Sequence, residues 1–335
     1  MESILLLVHM ESDGLLAKPA LEALAAALAL GGELTVGLVG GAAQPAANQI
    51  AGCGAARFLV VAGDPYTQPR YATDAAAAEA LCRQAGAALV LAPATSRWAR
   101  ALPGVAYRLG GRVDTHATSL SVQDGAPAAT RWFYRQRMEA VLSRSERPWV
   151  VLLDAGCNPA WTGPAGTAQV EAVTVETPPT RTTVTGVQAP KADEQTIRPD
   201  ARLLFVAGAG WTKKQPDGAV HGAEAETLIL GFLRAAKASL GGSKSLVDLS
   251  GEGQPVLRFM THLNQIGQTG ATPRHPKGLS TCCHGEEPHV VGWRFVNQRR
   301  AINLDPNCGW ARGKADVLYV ADAFEVMRHL NKLLA

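Results

Sequence analysis

The stretch from Gln265 to His289, QIGQTGATPRHPKGLSTCCHGEEPH, decides how the rest of the chain is read. It opens on Gly267-Gln268-Thr269-Gly270 and passes through a short apolar run ending at Thr281. It closes on a turn containing Gly285 that opens a helix. Downstream come Ala301-Ile302-Asn303-Leu304-Asp305-Pro306 and then Val320-Ala321-Asp322-Ala323-Phe324. Small residues let a backbone approach a ligand closely, and free N–H groups at a helix start attract phosphate oxygens. Loops of this kind at strand ends suit a bound dinucleotide.

Around this stretch, apolar runs alternate with helical segments. Leu203–Val206 reads as a strand followed by Gly208-Ala209-Gly210, and Ala223–Ala238 as a helix. Ser245–Val247 reads as a short strand, and Leu257–Leu263 is ambiguous. Gly278–Thr281, Arg300–Asn303 and Val317–Val320 read as strands, Glu286–Val291 as a helix start and Ala323–Leu334 as the closing helix. The amino-terminal part alternates in the same way. Strands are expected at Ile4–Val8, Leu34–Val39, Arg57–Val61 and Ala88–Leu91. Helices are expected at Lys18–Leu30, Gln44–Ile50, Ala75–Gln84 and Ser96–Leu109. After Thr115 the texture changes, and Thr118–Val122, Ala129–Tyr134, Met138–Leu142 and Val150–Leu153 read as appended antiparallel strands. Glu176–Pro199 reads as a linker, with Thr182–Gln188 as an extended piece able to pair with the first domain. The expected fold class is therefore α/β. Two doubly wound, mainly parallel-sheet, Rossmann-like domains are predicted, with antiparallel strands added to the first. The boundary is placed near Asp193, giving domains 1–193 and 194–335.

Composition agrees with this reading. The 335 residues are 47% hydrophobic and only 18% charged, as buried parallel sheets require. A net charge of +3, with basic residues scattered, argues against nucleic acid or an anionic membrane as partner. The six cysteines show no disulfide framework, which points to a reducing, cytoplasmic setting. No segment approaches the length of a membrane span, so direct membrane insertion is not expected. Cys282-Cys283-His284 with Cys308 invites a metal-site reading. Adjacent strand residues point to opposite faces, however, so small buried hydrophobes are the better reading and no metal is expected.

From Gln265 to the carboxyl terminus the chain resembles the α subunit of electron-transfer flavoproteins. Gln265-Ile266-Gly267-Gln268-Thr269-Gly270 stands where that family has its flavin-ring loop, and Gly285 and His289 keep their spacing from it. Ala301-Ile302-Asn303 with Asp305-Pro306, Ala315-Asp316, and Ala321-Asp322 with Phe324 complete the series. Gly241-Gly242-Ser243-Lys244 is similar to the family's Gly-Ala-Ser-Arg turn. The first domain resembles the family only in element order and in fragments such as Leu91–Thr95.

The resemblance implies a heterodimer. Its β subunit would contact the first domain, and FAD would be held mainly by the second. It implies a shuttle carrying electrons from a soluble donor dehydrogenase to a membrane quinone oxidoreductase, without substrate chemistry of its own. Carried over by position, Thr269 places its hydroxyl near the flavin N5, while Ile266, Gly267 and Gln268 meet the ring through the loop backbone. Ser243 hydrogen-bonds the flavin region, with Lys244 beside the ring. His289 faces the C2 oxygen edge, and the segment from His284 through Gly285 to His289 lines the pyrophosphate. Asn303 and Asp322 hold the adenosine end.

The chain departs from the pattern in three places. An arginine expected after Val206 is absent from Gly208-Ala209-Gly210-Trp211. Lys244 replaces an arginine, keeping the charge but losing the planar fork. Glu286 and Glu287 bring carboxylates to the phosphate turn, at about 1 kcal/mol of repulsion each, with Arg274 and His275 as candidate counter-charges. Two other readings follow. One is an interaction subunit that keeps the fold and has lost FAD. The other is a nucleotide-using α/β enzyme, for which the first domain lacks a P-loop.

Overall fold

The computed structural model describes residues 2–133, 138–186, 197–198, 200–249, 256–267, 270–271, 273–281, 296–308, 311 and 315–335. The chain divides into two units, Met1–Val187 and Gln188–Ala335. The boundary expected at Asp193 falls outside the described residues.

In chain order the first unit contains β1 (Ile4–His9), α1 (Lys18–Ala29), β2 (Leu34–Gly40), α2 (Gln44–Gln49), β3 (Arg57–Ala62) and α3 (Tyr71–Ala85). There follow β4 (Leu89–Pro93), α4 (Ser96–Arg108), β5 (Arg112–Gln123), β6 (Ala126–Phe133), β7 (Met138–Leu142), β8 (Trp149–Leu153) and β9 (Val170–Ala172). They form one sheet in the order β7-β6-β5-β8-β4-β1-β2-β3-β9. Strands β2, β4 and β8 are buried at every position, as expected when helices cover both faces. Alternation along β1 sends Ile4, Leu6 and Val8 toward α1, and Leu5 and Leu7 toward α3 and α4. Helix α3 ends at Gly86 with φ +59°, and Thr95 caps α4 by accepting the Trp98 N–H at 3.4 Å.

The added hairpins β5–β6 and β6–β7 are antiparallel as expected. Strand β8 is not: it lies parallel between β4 and β5. Its uninterrupted apolar run, Trp149-Val150-Val151-Leu152-Leu153, suits a strand covered on both faces rather than a one-sided ribbon. The described part of Thr182–Gln188 carries no strand, and the edge beside β3 is taken by β9 instead. Arg57 clamps that edge through Glu171 at 2.8 Å. Residues 154–169 reach it as an irregular strap laid across the helices. Trp161 donates to Leu21 O at 3.1 Å, Gly52 donates to Pro164 O at 3.2 Å, and Gly166 donates to Asn48 O at 2.9 Å.

One carboxylate holds the hairpins to the main sheet. Asp114, 3% exposed, accepts from Arg144 Nε at 2.8 Å, Trp149 Nε1 at 2.9 Å and Arg131 Nη1 at 3.4 Å. Burial pushes its carboxyl upward, but the Arg144 and Trp149 hydrogen bonds and the two guanidinium charges outweigh it and hold it below the usual range. The unfolded carboxylate, near 3.9, therefore protonates first, so the stabilisation present above about pH 4 is lost as pH falls. Asp114→Asn should lower stability at pH 7 by roughly 3 kcal/mol and flatten the loss between pH 4 and pH 3. Urea unfolding at both pH values measures it.

The second unit contains β10 (Leu203–Ala207), α5 (Gly222–Ala236), β11 (Ser239–Gly242), α6 (Lys244–Asp248), β12 (His275–Thr281), β13 (Val296–Asn303), β14 (Val317–Val320) and α7 (Ala323–Leu334). All pairs are parallel, in the order β11-β10-β12-β13-β14. The segment Ser245–Val247 is helix α6 rather than a strand, because Ser243 caps it by accepting from Leu246 N at 3.2 Å. The strand is the preceding Ser239–Gly242, whose small residues disguise it. The helix expected from Glu286 to Val291 lies outside the described residues. Phe205, Ile229, Phe232, Leu240, Phe324 and Met327 form the core under α5 and α7.

Candidate functional site

The first strand of the second sheet, β10, lies inside it, flanked by β11 and β12. The chain goes from β10 to β11 on one side, then returns to β12 on the other. Such a reversal leaves a crevice at the carboxyl ends of the two central strands, and ligands of open α/β sheets bind there. The residues facing this edge are the turn after Ala207, Ser243 after β11, Thr281 at the end of β12, Asn303 at the end of β13, and Asp322 after β14.

Two clusters of predicted residues come together along it. The first surrounds the end of β11. Ile266 N donates to Gly242 O at 3.1 Å, Ala271 N donates to Gln265 O at 2.8 Å, and Gly267 N donates to Ala271 O at 2.9 Å. The loop is thus a closed ring of backbone bonds sewn to β11, with Gly267 at φ +120°. Ser243 is 2% exposed, and its oxygen caps α6 without committing its own proton. Lys244 is largely in solvent and pairs with Asp248 at 3.7 Å. The Ile266 side chain turns away into the apolar cluster with Leu204 and Val206, so only its backbone borders the edge.

The second cluster ends β13 and β14. Asn303 is 3% exposed, and its Oδ1 accepts from Asp305 N at 2.9 Å. Its carbonyl accepts from Ala321 N at 3.2 Å. Asp322 caps α7, accepting from Glu325 N at 3.0 Å. Strands β11 and β13 lie three positions apart in the sheet, roughly 14 Å at the usual spacing. That is the scale of a dinucleotide laid across a sheet edge. The side chains offered are a hydroxyl, an amide and a carboxylate, a set that fits ribose and base groups. Gln268, Thr269, His284, Gly285 and His289 lie outside the described residues.

His275, expected as a counter-charge for the phosphate turn, lies away from these strand ends. It begins β12 at the opposite end of the sheet, where its Nε2 bonds Arg198 O at 2.9 Å. Where the related pattern has an arginine after β10, Gly208 is followed by a tight 3-10 turn, Ala209–Thr212, and then by Lys213 and Lys214, the two candidates for the missing charge. That turn carries a residue that sequence reading missed. Trp211 is wholly buried and donates its indole N–H to Thr281 Oγ1 at 2.8 Å. An apolar cavity of about 610 Å³ lies between the sheet face and α5 and α7, with Ile302 and Ala321 in its lining.

Comparison with known proteins gives the following. A family model described as "Electron transfer flavoprotein domain" matches residues 4–178, within the first unit. Proteins named FixB from Salmonella typhimurium, Salmonella typhi and Salmonella paratyphi A are each 25% identical over 283 residues. Those alignments cover 84% of this chain and 85% of each relative, so they extend into the second unit. Among solved structures, the glycosyltransferase SsfS6 of Streptomyces sp. SF2575 aligns over 99% of this chain and 91% of its own at 11% identity. Its TM-score of 0.26 is too low to carry any argument.

Proposed function

Because this chain belongs to the electron transfer flavoprotein domain family, we propose that it is the α-type subunit of a heterodimeric electron carrier. In this reading it holds FAD in its second unit and pairs with a β subunit. It passes electrons from a soluble donor dehydrogenase toward a membrane quinone oxidoreductase, in the cytoplasm and without substrate chemistry of its own. No described helix is long and apolar enough to cross a membrane, so contact with a membrane acceptor runs through partners. The observation that carries the reading is the convergence of Ser243, Gly267, Asn303 and Asp322 on one edge of a parallel sheet whose strand order reverses there.

Bound FAD supplies the capacity to take and give electrons singly or in pairs. The chain supplies binding and electrostatics. Ser243 has a hydroxyl proton to donate at the end of β11, and the Gly267 loop brings bare backbone to the ring. Asn303 and Asp322 hold the adenosine end. Lys244 keeps a positive charge near the flavin on a flexible stem.

A nucleotide-using activity in the first unit fits less well. At its own point of reversal, between β1 and β4, His9 Nε2 and Thr95 Oγ1 bond each other at 3.1 Å. This side-chain bond spans the crevice. The complex purified with its β subunit should be yellow and should release FAD on denaturation. A colourless complex that takes up no FAD on titration sinks the proposal.

A further inference from the structure

Trp211 sits in the turn after β10, 0% exposed. A buried indole N–H needs a partner, and here it has Thr281 Oγ1 at 2.8 Å. The same hydroxyl donates to Val206 O at 3.2 Å, and Gly208 N donates to Thr281 O at 2.9 Å. The two strands flanking the point of reversal are therefore cross-tied at their carboxyl ends. On its other side the indole packs against Phe324, with ring centroids 4.6 Å apart and planes tilted by 57°. Phe324 lies two residues after Asp322, in the first turn of α7. The neighbouring Ala207 carbonyl accepts from Ser243 N at 2.9 Å. A single side chain thus joins the turn after β10, the last residue of β12 and the start of α7.

We infer that Trp211 is a positioning residue of the cofactor edge, fixing the spacing of two strand ends and a helix start and so setting how tightly the flavin is held. The inference rests on the reading of this chain as the flavin-holding subunit. Among the described residues Trp211 bonds to neither Ser243 nor Asp322; it acts through Thr281 and Phe324. A large indole in this turn also accounts for how the chain folds there without the arginine of the related pattern. Packing on Phe324 and the cross-tie to Thr281 hold the turn.

The test uses the complex with the β subunit and three variants. Trp211→Phe keeps a ring against Phe324 and removes the N–H. Thr281→Val keeps the shape and removes the hydroxyl. Thr281→Ser restores the hydroxyl and serves as the rescue. Equilibrium titration of the apo complexes should show FAD bound roughly tenfold more weakly by the first two variants and near wild type by the third. Amide exchange without flavin should quicken at residues 208–211 and 323–326 and stay unchanged in the β10 and β11 cores. The flavin midpoint potential of the loaded Trp211→Phe complex should also move. Unchanged affinity, exchange and potential in both weakening variants, beside a wild type that binds FAD, overturn the positioning role alone. A wild-type complex that binds no FAD overturns the proposed function, and this role with it.

Discussion

Arg97→Met is expected to destabilise the first unit by about 3–5 kcal/mol, the usual effect of leaving a buried charge without its partner. Asp74 is 0% exposed and Arg97 is 5% exposed. Arg97 donates to Asp74 Oδ1 from Nε at 2.9 Å and from Nη2 at 2.6 Å, and Nη2 also donates to Tyr66 O at 2.7 Å. The pair locks α3 against α4 at the carboxyl edge of the first sheet. In the variant, Asp74 keeps only Arg100 at 3.5 Å, a cation that is itself half in solvent. Adding Asp74→Leu should recover much of the loss, because apolar packing replaces a buried pair at little cost. Urea unfolding of wild type, both single variants and the double variant measures the cycle. A second readout is local. Burial lowers the His9 pKa first, and the Arg97 charge lowers it further. Removing that charge should move the His9 titration upward, toward its ordinary range, in an NMR pH series.

Gly270→Ala should weaken FAD binding by ten- to a hundredfold while leaving the melting temperature close to wild type. A Cβ at this position would stand 2.3 Å from Gln265 O and 2.7 Å from Gln265 C. Both are backbone atoms, so no side chain can swing aside. The ring of bonds from Gln265 to Ala271 must open, and overpacking of this kind costs about 1–3 kcal/mol. The cost lands on a surface loop rather than on the core, so it shows as affinity rather than as global stability. Gly222→Ala is the control, since a methyl there meets nothing within 4 Å. Equal FAD affinities in the two variants would remove the loop from the cofactor site.

The strands were legible where burial leaves a plain mark. Runs such as Leu34–Val39 and Leu203–Val206 read as core strands because nothing but a two-sided core tolerates them. Strand β8 misled by its surroundings: it follows two antiparallel strands that are only partly buried, and only its full burial gives it away. Strand β11 was hidden because Gly241-Gly242 reads as a turn, although these small residues make room for Ile266 beside Gly241 and Met260 beside Gly242. The strand order β11-β10-β12-β13-β14 leaves no trace in local sequence, because pairing across the sheet is decided by tertiary packing. At the candidate site, Asn303 and Asp322 were named from the family resemblance alone, and in the structure each closes a turn or helix start at a strand end. Trp211 was missed because a buried tryptophan beside a glycine turn looks like packing, and its hydrogen bond to Thr281 spans 70 positions of chain.

The strap of residues 154–169 has a consequence for synthesis. Every strand of the first sheet except β9 has been synthesised once Leu153 is made. The outer side of β3 nevertheless stays bare until Val170–Ala172 arrives from across the helices. During that interval the nascent chain exposes an unpaired strand edge, the feature most prone to intermolecular pairing. Translation slowed before Val170–Ala172 has emerged should therefore favour aggregation, and a pause placed after its emergence should not.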